Sequence, residues 1–242
     1  MEKIKHLVSG EFTRLTKYNL FTASLVVALV WVVIGYFLEL EEFKEFLPFV
    51  FLMESSAMTS LLVGAEMFYE KKEHTISSML ISPMTESEYL VSKIIANILN
   101  ILFIFVIIGV SVYFFKDFLF SFHWLFLGII LVSSYYVFIG VLLSYVSKDF
   151  TALLMNYIVL MIVLVIPSVF VMIGLLPQST LDFIFWSPTE VTLRLLNASF
   201  STSFDGVQYL KDSVYIIGLS YILYKFLVLP NFKAYAIKDL GV

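Results

Sequence analysis

Residues Ile94–Phe115 read IIANILNILFIFVIIGVSVYFF, a run with no Asp, Glu, Lys or Arg. A helix rises about 1.5 Å per residue, so about 20 apolar residues cross a hydrocarbon core of about 30 Å. This run is long enough to do so by itself. Working outward, five more runs qualify: Asn19–Leu38, Phe46–Phe68, Phe122–Tyr145, Leu153–Leu176 and Ser213–Leu229. No repeat of 20–50 residues accompanies them. The sequence therefore predicts an all-α membrane protein, a single domain over residues 1–242 with six transmembrane helices.

Composition points the same way. Apolar residues make up 60% and charged residues 14%, against about 45–50% and about 25% in a soluble chain. A soluble fold of this size cannot hide that much apolar surface, whereas lipid can serve as its outer solvent. The net charge of −4 offers no basic field for nucleic acid. Cysteine is absent, which excludes disulfides, thiolate metal sites and cysteine nucleophiles. The first apolar run lacks a small-residue cleavage site and is expected to be a retained span. Of the 15 Lys and Arg residues, only Lys44, Lys116, Arg194 and Lys211 fall outside if the N-terminus is inside. That asymmetry predicts a multi-pass protein of the cell membrane with both termini in the cytoplasm.

Three segments that do not span carry further information. In Met1–Tyr18, the apolar residues Ile4, Leu7, Val8, Phe12, Leu15 and Tyr18 recur at helical spacing, while Lys3, Lys5, Glu11, Arg14 and Lys17 fall elsewhere. This predicts an amphipathic helix lying on the inner membrane face over residues 1–18. In the inner loop, Ile76, Met79 and Leu80 sit at i, i+3 and i+4, which predicts a short helix stopped by Pro83. Thr85 followed by Glu88 is a capping box, placing the start of the third helix there. On the outer side, Pro177–Asp212 is too short in apolar residues to span. Within it, Ser187-Pro188-Thr189-Glu190 is a second start signal, so a helix of about Pro188–Phe200 is expected to dip back toward the membrane.

Few residues suggest chemistry. Glu54 lies inside the second span beside Ser55, Ser56, Thr59 and Ser60. A carboxyl there costs roughly 2.5–3.5 kcal/mol near the helix centre. Such groups face a cavity or a partner. Glu54, with Ser55 and Thr59, is a candidate for a translocation path; the alternative is a protonated Glu bonded to a neighbouring helix. Glu66 and Glu70 share a helix face, where Lys71, Lys72, the N-terminal helix or a partner protein could meet them. His6, His74 and His123 are scattered and match no metal-ligand spacing. Pro167 should kink the fifth helix. Gly128, Ser133, Gly140 and Ser144 give the fourth helix small packing surfaces.

The loop EKKEHTISSMLISPMTESEYLVSK, Glu70–Lys93, resembles the corresponding loop of type-2 ABC transporter permeases. That family carries a Glu-rich start after span two, a Thr-led short helix, a Pro, and Tyr-Leu-x-x-Lys opening span three. Trp186-Ser187-Pro188 leading to Arg194-Leu195-Leu196 resembles its second landmark. Small permeases known as fluoroquinolone or multidrug exporters are the most similar in length and pattern. One departure is His74, where many members carry Gly before the Thr.

The resemblance implies a permease dimer, either a homodimer or a pair with a paralogue, and a separate cytoplasmic ABC ATPase subunit. ATP and Mg would be held by that subunit, and no cofactor by this chain. It also implies that residues 70–84 form the coupling loop, with Glu70, Thr75, Ile76, Met79, Leu80 and Pro83 engaging the ATPase. The chain contains no G-x-x-x-x-G-K-[ST] phosphate loop. An amphiphilic small molecule is the implied substrate. The rival readings are a carrier or channel working without an ATPase, and a membrane-embedded enzyme.

Overall fold

A computed structural model of the chain describes residues 2–79, 84–117, 120–201 and 203–237, with the side chains of Met79 and Met172 also left aside. Among the described residues there are helices and no strands. The helices are α1 (Glu2–Lys17), α2 (Leu20–Phe37), α3 (Leu40–Lys72), α4 (Thr75–Met79), α5 (Glu86–Lys116), α6 (Phe122–Val146), α7 (Phe150–Met172), α8 (Thr180–Ile184), α9 (Pro188–Asn197) and α10 (Gly206–Ile237). Six of them, α2, α3, α5, α6, α7 and α10, are long and apolar enough to cross a membrane.

Several helices run past the apolar runs that announced them, because caps and not hydropathy set their ends. The N–H of Glu88 donates to Thr85 Oγ1 at 3.2 Å, and the N–H of Thr85 donates to Glu88 Oε2 at 2.8 Å. This is the reciprocal cap expected for α5. Asp149 accepts from the Ala152 N–H at 2.7 Å and starts α7. Asp205 accepts from Val207 and Gln208 at 3.0 Å and starts α10 well before Ser213. The cap expected at α9 is not made: neither Ser187 nor Glu190 forms it. Pro188 at the first helical position fixes that start, since its ring presets the backbone angle. The helix ends at Asn197, short of Phe200. Helix α7 continues through Pro167.

Helix α3 is the spine of the bundle, packed along α6. Gly140 of α6 allows this. A Cβ there would lie 2.5 Å from the Ser60 carbonyl oxygen, so only glycine lets the two backbones come so close. Halfway along, α3 loosens into a π segment, Met53–Met58. Ser56 and Ser60 donate back to the Leu52 and Ser56 carbonyls, a pattern that bends helices. A second π segment, Leu223–Val228, interrupts α10. One apolar core joins Leu47 and Phe51 of α3 to Ile104 of α5, Leu125 of α6 and Leu196 of α9. A second joins Met67, Ile76, Tyr89, Phe232 and Tyr235 at the opposite end of the bundle. We refer to these as the α9 end and the α1 end. Helices α2 and α7 flank the bundle with exposed apolar faces, including Val30, Val33, Val159 and Val163.

Candidate functional site

At the α1 end, a group of charged side chains lies out of solvent. Helix α1 lays Leu15 against Leu62 and Ala65 of α3. Contrary to the expectation that it lies on the polar face, Glu11 is fully buried. The apolar stripe of α1 is interrupted by a carboxylate because the surface it meets is itself charged. On α3, Glu66 and Glu70 sit one turn apart and are also fully buried. Lys93, two turns into α5, reaches all three carboxylates. Its Nζ lies 2.9 Å from Glu11 Oε2, 2.9 Å from Glu66 Oε2 and 3.2 Å from Glu70 Oε1. Arg14 pairs with both Glu11 and Glu70. Tyr89, one turn before Lys93, donates its hydroxyl to Glu70.

Three carboxylates with one oxygen each within 4.8 Å of one another have the outline of a cation site. The cation is already present, because the Lys93 ammonium occupies that centre. Desolvating each ion costs several kcal/mol, offset only when every partner is in place. Burial alone would push the Glu11 carboxyl up, but Lys93 and Arg14 outweigh it and hold it down at about 2. Burial likewise works against the Arg14 charge, and Glu11 and Glu70 more than offset it, so its pKa rises. The cluster therefore stitches α1, α3 and α5 together through charge.

Helix α4 hangs from the same knot. Only Glu73 and His74 separate it from α3. His74 has φ of 58°, the left-handed conformation that glycine takes more easily. Lys17 and Tyr18 at the end of α1 bond Glu73 and hold its carboxyl below the usual range. Ile76 is buried among Met67, Tyr89 and Phe232. Ser77 Oγ donates to the Ala236 carbonyl of α10 at 2.9 Å, and Lys71 Nζ stands 4.1 Å from the centre of the Tyr235 ring. The short helix is thus seated on α3, α5 and α10.

Of the residues expected to engage a partner, Glu70 and Ile76 point into the protein. Thr75 is half-buried and Met79 ends α4. Leu80 and Pro83 lie outside the described residues. Glu54, Ser55 and Thr59 sit in or beside the π segment, buried. Ser55 Oγ donates to the Phe51 carbonyl at 2.5 Å and Thr59 Oγ1 to the Glu54 carbonyl at 3.3 Å. Neither Glu54 carboxyl oxygen makes a hydrogen bond of good geometry, but the Trp31 indole N–H of α2 stands close enough to act on the carboxyl. The structure does not bring Glu54 to the ion cluster; twelve residues of helix, about 18 Å, separate it from Glu66.

The residues that sequence reasoning passed over are Glu11, Arg14, Tyr89 and Lys93 as one group. The signal was a cation immediately before an apolar run and two turns after a helix-start cap, facing a Glu pair at i and i+4. Tyr89 and Lys93 are the two side chains of the Tyr-Leu-x-x-Lys pattern, and both end in the cluster. The partners foreseen for Glu66 and Glu70 were partly right: the N-terminal helix is one, while Lys71 turns to Tyr235.

Comparison with curated proteins and with solved structures finds no match. The sequence model for the ABC-2 family transporter protein matches residues 13–229, which takes in five of the six long helices whole and α10 through its π segment. The chain is a multi-pass membrane protein that belongs to the ABC-2 family of transporter proteins.

Proposed function

We propose that this chain is the membrane-spanning permease subunit of an ATP-driven exporter, in the cell membrane with both termini in the cytoplasm. The α1 end is then the cytoplasmic end. A separate ABC ATPase subunit supplies ATP hydrolysis, and a second permease, identical or paralogous, completes the pair. The substrate is an amphiphilic small molecule.

One observation carries this reading. Helix α4 is a short handle seated on a bundle that is stiffened where the handle attaches. A force on α4 passes through Glu73 and His74 into α3, and through Ile76 into the core formed with α5 and α10. The ion cluster makes α1, α3 and α5 move as one body there. Farther along α3, the π segment supplies a place to yield, since such segments recur at functional sites. Glu54, Ser55 and Thr59 stand at that place. Glu54, a buried carboxyl with only the Trp31 indole N–H beside it, is suited to meeting a path that opens as the helices tilt.

Purification of the chain from its native membrane tests this. An ATPase with a phosphate-binding loop is expected to accompany it and to be lost on Met79→Glu or Leu80→Glu. Full transport by proteoliposomes containing this chain alone would overturn the reading.

A further inference from the structure

The α9 end holds a cavity of about 360 Å³ between α7, α8 and α9. Val171, Leu181 and Leu193 give it apolar walls, and Ser168 and Glu190 border it. Both of these are more than nine-tenths buried, at 5% and 7% exposure. Ser168 Oγ and Glu190 Oε1 have no hydrogen-bond partner, and no ion pair reaches Glu190 among the described residues. Buried polar groups in native proteins are nearly always satisfied, so two orphans on one cavity call for an explanation.

The other charges nearby are already matched. Arg194 donates Nε and Nη2 to the Asp212 carboxylate at 3.1 and 2.9 Å, and Nη1 to the Phe185 carbonyl at 2.8 Å. Its guanidinium also lies 4.0 Å from the centre of the Phe185 ring. Gln208 adds a bond to Asp212 at 3.0 Å. Arg194 therefore has little left for an anion, and the Glu190 carboxylate is the uncompensated charge. Glu190 forms no cap for its own helix; its place in the first turn suits a negative charge but leaves its Oε1 without a hydrogen bond. A concave, mostly apolar space with one or two directed polar groups is the usual form of a small-molecule site.

We propose that this cavity receives the cationic head of an amphiphile, with the Glu190 carboxylate facing the positive charge, Ser168 beside it and Val171, Leu181 and Leu193 against the apolar body. This deepens the exporter reading by naming the charge of its substrate, and rests on that reading only for the role of the bound molecule. In a membrane with the α1 end inside, the site lies on the outer side.

The probe is tetraphenylphosphonium, with tetraphenylborate as a counterpart of like shape and opposite charge. Binding is measured by equilibrium dialysis on the purified chain in lipid nanodiscs, with empty nanodiscs subtracted. Saturable binding of the cation is expected, with none of the anion. Glu190→Gln should weaken the cation roughly tenfold, the scale of one charge-assisted contact, and Ser168→Ala by less. Equal saturable binding of both probes to the unaltered chain would overturn the proposal without any variant. So would cation binding that a folded Glu190→Gln protein retains in full. Dialysis needs neither nucleotide nor ATPase, so a missing partner subunit sinks only the exporter reading. A partner that co-purifies with a chain blind to the cation sinks only this site.

Discussion

The two ends of the bundle bury charge in opposite ways. At the α1 end, Glu11, Glu66, Glu70, Arg14 and Lys93 stand within ion-pair reach of one another, each carboxylate facing a cation. At the α9 end, Glu190 and Ser168 are also buried but border a cavity, and Glu190 Oε1 and Ser168 Oγ have no hydrogen-bond partner. Burial alone therefore does not say what a charged residue is for. A closed circle of partners belongs to the fold. An open valence beside a void belongs to whatever enters it.

The largest expected effect breaks the closed circle. Lys93→Ala leaves Glu66 with no cation, and Glu11 and Glu70 with Arg14 alone, and should destabilise the protein by about 3–5 kcal/mol, read as loss of folded yield or of melting temperature in detergent. Pairing Lys93→Met with Glu66→Gln should recover part of that loss, because it removes charge from both sides. A milder route to the same break is acid. Since the Glu11 carboxyl is held at about 2 in the fold against 4.5 ordinarily, its contribution is complete above pH 4.5. It shrinks as pH falls from there and is gone below about 2. Proteolysis of α1 should accordingly rise progressively as pH falls from about 4.5 toward about 2.

A smaller effect is expected between the two ends. Gly140→Ala places a methyl 2.5 Å from the Ser60 carbonyl and should cost about 1–3 kcal/mol, visible as a lowered melting temperature. The smallest is expected at the open end. Glu190→Gln should change stability by no more than about 0.5 kcal/mol while altering cation binding. A melting loss at Glu190 comparable to that at Lys93 would erase the distinction between the two regions.

The sequence disclosed the features that depend on neighbours along the chain. Apolar runs located all six spans, and Thr85 with Glu88 marked the start of α5 to the residue. It failed where a side chain answers to something distant. Glu11 was placed on the wet face of α1 because its partners, Lys93 and Glu66, lie far off in the chain. Glu190 sits at the right spacing for a cap, yet it is turned to a cavity that only folding creates. The left-handed His74 lies between these cases: the departure from glycine was visible, but the backbone angle that makes it matter was not.

The π segment at Met53–Met58 has a geometric consequence for the far end of its helix. A π turn amounts to one surplus residue, and one residue is about 100° of rotation in a helix of 3.6 per turn. Everything downstream, Glu66 and Glu70 included, is therefore out of phase with the half of α3 that begins at Leu40. The carboxylate ladder looks toward Lys93 because of an extra unit inserted some three turns away. Were that surplus to migrate or be expelled, the ladder would swing by a large fraction of a turn, so a defect in the middle of the span can set the azimuth of the grip at its tip.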